Sequence, residues 1–105
     1  MGSEPTEIWK DGTQVWKNEN GELHREDGPA IIFPDGIQHW FINGNFHRED
    51  GPAVIYPDGR QYWYINGNPH REDGPAEIYP DRSQKWYIDG KIHREDNHFH
   101  FSKLS

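Results

Sequence analysis

The chain has 105 residues, 18 of them acidic and 11 basic, for a net charge of −7, which leaves no electrostatic footprint for phosphate backbones and argues against direct nucleic-acid binding. It has no cysteine, so a disulfide framework and a thiolate metal site are excluded and a reducing cytoplasm fits. Leu, Ile, Val and Phe supply only 19 residues, a share that would suit disorder, but five Trp, five Tyr and five Phe each remove roughly 150–250 Å² from water when buried, so the expected core is thin and aromatic.

From the N-terminus, residues 1–6 lack the basic start and apolar run of a signal peptide, and no apolar stretch approaches the roughly 18 residues of a membrane span. A soluble, cytoplasmic domain is expected. The segment HREDGPA then occupies residues 24–30, 47–53 and 70–76, and HRED returns at 93–96. A segment that recurs every 23 residues is one structural unit copied along the chain. Aligned on histidine, the full units are 24–46, 47–69 and 70–92, all within one domain, 1–105. Residues 5–23 form a partial unit in which Ile8, Trp9, Asp11, Gly12, Gln14 and Trp16 match Ile32, Phe33, Asp35, Gly36, Gln38 and Trp40. Residues 93–105 form a C-terminal capping unit. An array of near-identical copies offers a ladder of equivalent positions, whereas catalysis needs one constellation placed once.

Each unit carries two turn signals. Pro34-Asp35-Gly36 and Pro57-Asp58-Gly59 have the chemistry of a tight turn, and Asn43-Gly44, Asn66-Gly67 and Asp89-Gly90 that of a two-residue hairpin loop. Between them, residues 53–56 and 60–65 are rich in β-formers and read as strands. Glycines and prolines punctuate the chain too often for helices. The predicted fold is all-β, an elongated, single-layer antiparallel meander with about two strands per unit.

Alternation sorts the side chains of each strand. Gln38, Trp40 and Ile42 share one face, as do Gln61, Trp63, Ile65 and Gln84, Trp86, Ile88, and their sameness between units assigns these Trp and Ile ladders to the core. The opposite face varies and mixes rings with hydroxyls and charges. Phe33, Phe41, Tyr56, Tyr62, Tyr64, Tyr79, Tyr87 and Arg60 are the candidate partner-binding residues, since Tyr-rich amphipathic surfaces give contact area with few torsions to freeze. The same rings can instead stack on one another to stiffen the sheet, and the two roles are compatible.

His-Arg-Glu-Asp does not read as catalytic. The glycine-rich loop, strand lysine and DFG that accompany a kinase HRD are absent. Equivalent histidines two strands apart lie roughly 9–10 Å from each other, too far to share one ion. A structural role is expected, in which Arg25, Arg48, Arg71 and Arg94 reach toward Glu26, Asp27 and their copies in the next unit as a charged ladder. In the last unit, His98 and His100 alternate with Phe99 and Phe101, and with His93 and Asp96 they form the one candidate metal cluster; the competing reading is a terminal strand that caps the array.

A 23-residue period of β-hairpin units with Trp and Tyr, an Asn-Gly turn, Gly67-Asn68-Pro69-His70 and Tyr79-Pro80-Asp81 resembles the MORN repeat family over roughly residues 5–101. The typical family unit has Tyr-x-Gly-x-Trp and His-Gly-x-Gly, where this chain has Gln-x-Trp-Tyr-Ile and His-Arg-Glu-Asp-Gly-Pro-Ala. It is similar to divergent variants from bacterial, phage and giant-virus open reading frames. The resemblance implies an elongated sheet, protein binding along a groove or edge, and self-association, with no common catalytic residues and no cofactor. Lipid binding, proposed for the family, is disfavoured by the negative charge and the lack of a basic cluster. The expected function is a non-catalytic protein interaction module, in its sharper form a small phage-encoded inhibitor of a host defence or nucleic-acid-processing enzyme in the host cytoplasm. The alternatives are a scaffold that self-assembles into homodimers or longer homo-oligomers through edge strands, and a metal-dependent hydrolase using the C-terminal His cluster.

Overall fold

The computed structural model describes residues 4–97. Within them lie thirteen strands and no helix: β1 (Glu7–Ile8), β2 (Gln14–Val15), β3 (Ile31–Ile32), β4 (Gln38–His39), β5 (Phe41–Ile42), β6 (Asn45–Phe46), β7 (Val54–Ile55), β8 (Gln61–Tyr62), β9 (Tyr64–Ile65), β10 (Asn68–Pro69), β11 (Glu77–Ile78), β12 (Gln84–Ile88) and β13 (Lys91–Asp96). Nine form one sheet in the order β1-β2-β3-β4-β7-β8-β11-β12-β13, and β5–β6 and β9–β10 stand apart as hairpins. Every pairing is antiparallel. The all-β meander expected from the turn spacing is the fold observed.

The unit at 47–69 shows why this sequence folds so. Val54 pairs with Tyr62 and Ile55 with Gln61, and the intervening Pro57-Asp58-Gly59 is a three-residue loop. Gly59 donates to Tyr56 O at 3.1 Å, Tyr56 donates to Arg60 O at 3.0 Å, and Asp58 Oδ1 accepts from the Arg60 amide at 3.0 Å. Gly59 sits at φ 102°, the left-handed position that closes such a loop. The second turn is of the other kind. Asn66 (φ 50°) and Gly67 (φ 82°) both take positive φ, which is the type I′ geometry that matches strand twist.

Residues 60–65 do not form the single strand that alternation suggests. At Trp63 the chain changes partners: its N–H donates to Ala76 O at 2.7 Å and its carbonyl accepts from His70 at 3.1 Å. Residues before Trp63 thus belong to the main sheet and residues after it to the β9–β10 hairpin, so the full units 24–46 and 47–69 hold four short strands rather than two. The hairpins are stitched into a second row by Gly44, Gly67 and Gly90, which donate to Leu23, Phe46 and Pro69 carbonyls at 2.8 Å each. In the last unit β12 runs on through Trp86 and pairs with β13, with a bulge between Trp86 and Tyr87.

Register places two rows of side chains across the nine strands. One row runs Glu7, Val15, Ile31, His39, Val54, Tyr62, Glu77, Lys85, Glu95, and the other Ile8, Gln14, Ile32, Gln38, Ile55, Gln61, Ile78, Gln84, Asp96. Burial falls on the first. Val15, Ile31 and Val54 are buried there, joined by Phe41, Trp16 and the fully enclosed Ala30, Ala53 and Ala76. The assignment of the Trp and Ile ladders to the core is therefore corrected. Trp40, Trp63, Trp86, Ile42 and Ile65 are half-buried and Ile88 is exposed. The sameness of the tryptophans has a different cause, the arginine that lies on each indole. The molecule is elongated, 52 × 28 × 21 Å with a radius of gyration of 15.6 Å, against about 13 Å for a compact chain of this length.

Arg82 occupies the loop position held by Gly12, Gly36 and Gly59, and it does so at φ 72°. A side chain in the left-handed region costs about 1–2 kcal/mol, partly offset by the greater freedom of glycine when unfolded. Arg82→Gly is expected to raise unfolding free energy by about 0.5–1 kcal/mol in urea titration, with the m-value unchanged.

Candidate functional site

The HRED loop is a self-contained device whose parts each have a partner. In the second unit, His47 Nδ1 accepts from the Asn66 amide at 3.0 Å, and Nε2 lies 3.3 Å from Glu49 Oε2. A ring that accepts at Nδ1 carries its proton at Nε2 and donates it to the glutamate. His24 and His70 repeat this with Asn43 and Asp89 at 3.0 and 2.9 Å and with Glu26 and Glu72. Each histidine thus holds the type I′ turn of the following hairpin, 19 residues on.

The arginine works at the other side of the loop. Arg48 Cζ lies 3.7 Å from the Trp40 ring centroid, Nε donates to Asp50 at 3.2 Å, and Nη1 donates to Pro52 O at 3.2 Å. Arg25 and Arg71 do the same on Trp16 and Trp63, with Asp27 and Asp73 and with the Pro29 and Pro75 carbonyls. The glycine that follows is set by space rather than by dihedral angle, since a side chain there would displace the guanidinium from its seat. A Cβ at Gly28, Gly51 or Gly74 would stand 2.7–2.8 Å from the guanidinium carbon. The charged ladder expected between units is corrected accordingly: in these three loops each arginine bonds within its own loop, because its guanidinium is pinned on an indole eight or nine residues upstream. In the last unit Arg94 still covers Trp86 at 4.2 Å and reaches Asp96, but from the continuous strand β13.

On the opposite face the structure gathers most of the candidate aromatic residues. Phe33 meets His39 edge-on at 5.0 Å, His39 meets Phe46 at 5.5 Å, and Phe41, Phe46 and Tyr64 stack at 4.3 and 5.2 Å. Tyr62 stands edge-on to Tyr56 and Tyr79 at 6.1 and 5.9 Å. Arg60 lies 3.9 Å over the Tyr56 ring and is held there by Asp58 at 2.9 Å. Phe41 belongs to the core; Phe33, Tyr56, Tyr62, Tyr64, Tyr79, Tyr87 and Arg60 are half-buried. Phe46, which joins Phe41 to Tyr64, escapes sequence reasoning because its equivalents are Pro69 and Ile92 and its place beside an Asn-Gly turn reads as loop.

Burial and neighbours set the ionisation of this face. Burial, then the hydrogen bond of Tyr79 to Glu77 at 2.5 Å, raises the Tyr79 hydroxyl well above its ordinary range, and burial raises Tyr64. Tyr64 and Tyr79 therefore present neutral hydroxyls. Burial among phenyl rings lowers His39 below the ordinary histidine value.

Among the described residues no group of three His, Cys, Asp or Glu is placed to hold a metal ion. His93 and Asp96 lie on β13, and His98 and His100 lie outside the described residues, as does the expected capping strand around Phe99 and Phe101. No protein-family profile, curated protein or solved structure matches the chain.

A histidine whose folded-state value is depressed binds fewer protons than the unfolded chain, so its contribution is intact above the ordinary value near 6.5 and is lost as pH falls below it. His39→Tyr, which installs the residue found at the equivalent Tyr62, is expected to flatten the loss of stability between pH 7.5 and 5, read from paired denaturant titrations of variant and parent.

Proposed function

We propose that the protein is a non-catalytic protein–protein interaction module that grips its partner with the aromatic face. The observation that carries this reading is the run of half-buried rings, Phe33, Tyr56, Tyr62, Tyr64, Tyr79 and Tyr87, set in order by a sheet that fixes their spacing. Half-buried tyrosines have lost much of their rotational freedom already, so the entropy cost of seating a partner on them is small. Arg60, stacked on Tyr56, adds a residue type enriched in energetically dominant contacts. Catalysis is disfavoured by the use of His24, His47 and His70 as supports for backbone turns.

The narrower form of the proposal is a small phage-type inhibitor that occludes a host nucleic-acid-processing or defence enzyme. Its support is the chain's acidity, which would suit a basic cleft. A second reading, end-to-end assembly, is favoured by one observation: among the described residues, the large apolar side chains left exposed, Ile8, Trp9, Ile88 and Ile92, lie toward the two ends of the array.

Affinity capture from bacterial lysate, comparing the parent with a Tyr56→Ala, Tyr64→Ala, Tyr79→Ala variant of unchanged circular dichroism, tests the proposal. One enzyme captured by the parent and lost with the variant is the expected result. Equal capture by both would remove the aromatic face from the interaction, and capture of further copies of the chain alone would favour assembly.

A further inference from the structure

The face opposite the aromatic rings carries two equivalent open grooves between successive HRED loops. The first, about 460 Å³, has Trp40 and Ile42 as its floor and loops 25–26 and 47–50 as its walls. The second, about 540 Å³, has Trp63 and Ile65 as its floor and loops 48–50 and 70–73 as its walls. No residue of the aromatic face lines either one. We infer that these grooves form a docking ladder for an extended, polyproline-type segment of a basic partner that carries Lys or Arg at every third residue.

Charge complementarity selects the side chain. The arginines of the walls are already engaged with Trp, Asp and a proline carbonyl, and only 15–22% of their side-chain surface is accessible. The carboxylates point outward, with Glu49, Asp50, Glu72 and Asp73 82–87% accessible. Each loop therefore shows solvent two carboxylates against one covered guanidinium, above a half-exposed floor of indole and isoleucine. An apolar ligand would strip water from the rim without replacing it, and an anion would be repelled. A cation on an aliphatic stem satisfies both levels, because Lys and Arg lay methylenes on apolar surface while the head stays among the acids.

Spacing selects the backbone. Consecutive grooves are one unit apart, two strands, or roughly 9.6 Å. A polyproline II segment rises about 3.1 Å per residue with three residues per turn, so side chains at i and i+3 point the same way about 9.3 Å apart. A β-strand places same-side residues about 6.7 or 13 Å apart, and a helix returns to one face after seven residues at about 10.5 Å. The polyproline period matches most closely. Such a segment also arrives with little backbone entropy left to lose.

The test uses synthetic peptides and the whole chain. Lys-Pro-Pro-Lys-Pro-Pro-Lys is compared with its isomer Lys-Pro-Lys-Pro-Pro-Pro-Lys and with a helical lysine peptide of equal charge, by titration calorimetry and by the fluorescence of the groove tryptophans. The registered peptide should bind with saturation and more tightly than both. Glu49→Gln with Glu72→Gln, which keeps an oxygen for each histidine, should weaken it about tenfold with thermal unfolding unchanged. The Tyr56→Ala, Tyr64→Ala, Tyr79→Ala variant should bind as the parent does, which separates this surface from the aromatic one. Equal affinity for the two isomers, preference for the helix, insensitivity to the Gln pair, or no binding at millimolar peptide would each overturn the inference.

Discussion

A guanidinium lying flat on an indole, with its edge hydrogen-bonded to an aspartate and a proline carbonyl, is the contact on which the rest of this architecture depends. It recurs at 3.7–3.9 Å on Trp16, Trp40 and Trp63. An exposed cation–π contact contributes about 0.5–1 kcal/mol, and more where it is covered; these arginines are mostly covered. The stack also explains the sequence around it. Asp is needed two residues on to fix the guanidinium, Gly three on because a Cβ there would displace it, and Pro four on for the carbonyl that accepts from it and for a turn into the next strand. The Arg, Asp, Gly and Pro of a segment that begins like a catalytic signature are thus accounted for by packing.

The histidine beside that arginine, which follows one hairpin, holds the turn of the hairpin 19 residues on. Its Nδ1 meets the amide of a residue in the left-handed region, Asn43, Asn66 or Asp89, all near φ 50°. Such an amide sits at an exposed turn where no strand is available to receive it. The imidazole thereby fixes where the next hairpin lies, while the glycine of the same hairpin donates back to the preceding one. Main sheet and hairpin row are thus locked together at every unit, and both faces inherit a regular spacing. The aromatic face and the acidic grooves are consequences of that regularity, one on each side of the same strands.

Much of this was legible in the chain. The 23-residue period, both turn types and the antiparallel all-β class follow from identical segments and from Pro-Asp-Gly and Asn-Gly, whose backbone needs are local. What escaped reading depends on contacts that sequence spacing does not advertise. Alternation continues unbroken through Trp63, so nothing marks the residue where the strand changes partners. Sameness of Trp40, Trp63 and Trp86 suggested burial, but an indole under an arginine is held just as tightly while staying half-exposed. The true core lies on the face that varies, where Val15, Ile31 and Val54 give way to Glu77 and Glu95 toward the C-terminus, and in alanines too small to draw notice. The direction of each arginine, back onto its own loop rather than forward to the next, is set by the ring beneath it and by the missing Cβ at glycine.

The central claim, that imidazole acceptors hold each hairpin turn in place, is most directly tested by backbone amide hydrogen exchange. The Asn43, Asn66 and Asp89 amides should be protected to a degree comparable with the Trp63 amide of the main sheet, although their residues are exposed, and His47→Ala should abolish protection at Asn66 while leaving the others in place. Exchange of these three amides at the rates of an open loop, or indifference of Asn66 to the loss of His47, would contradict the account.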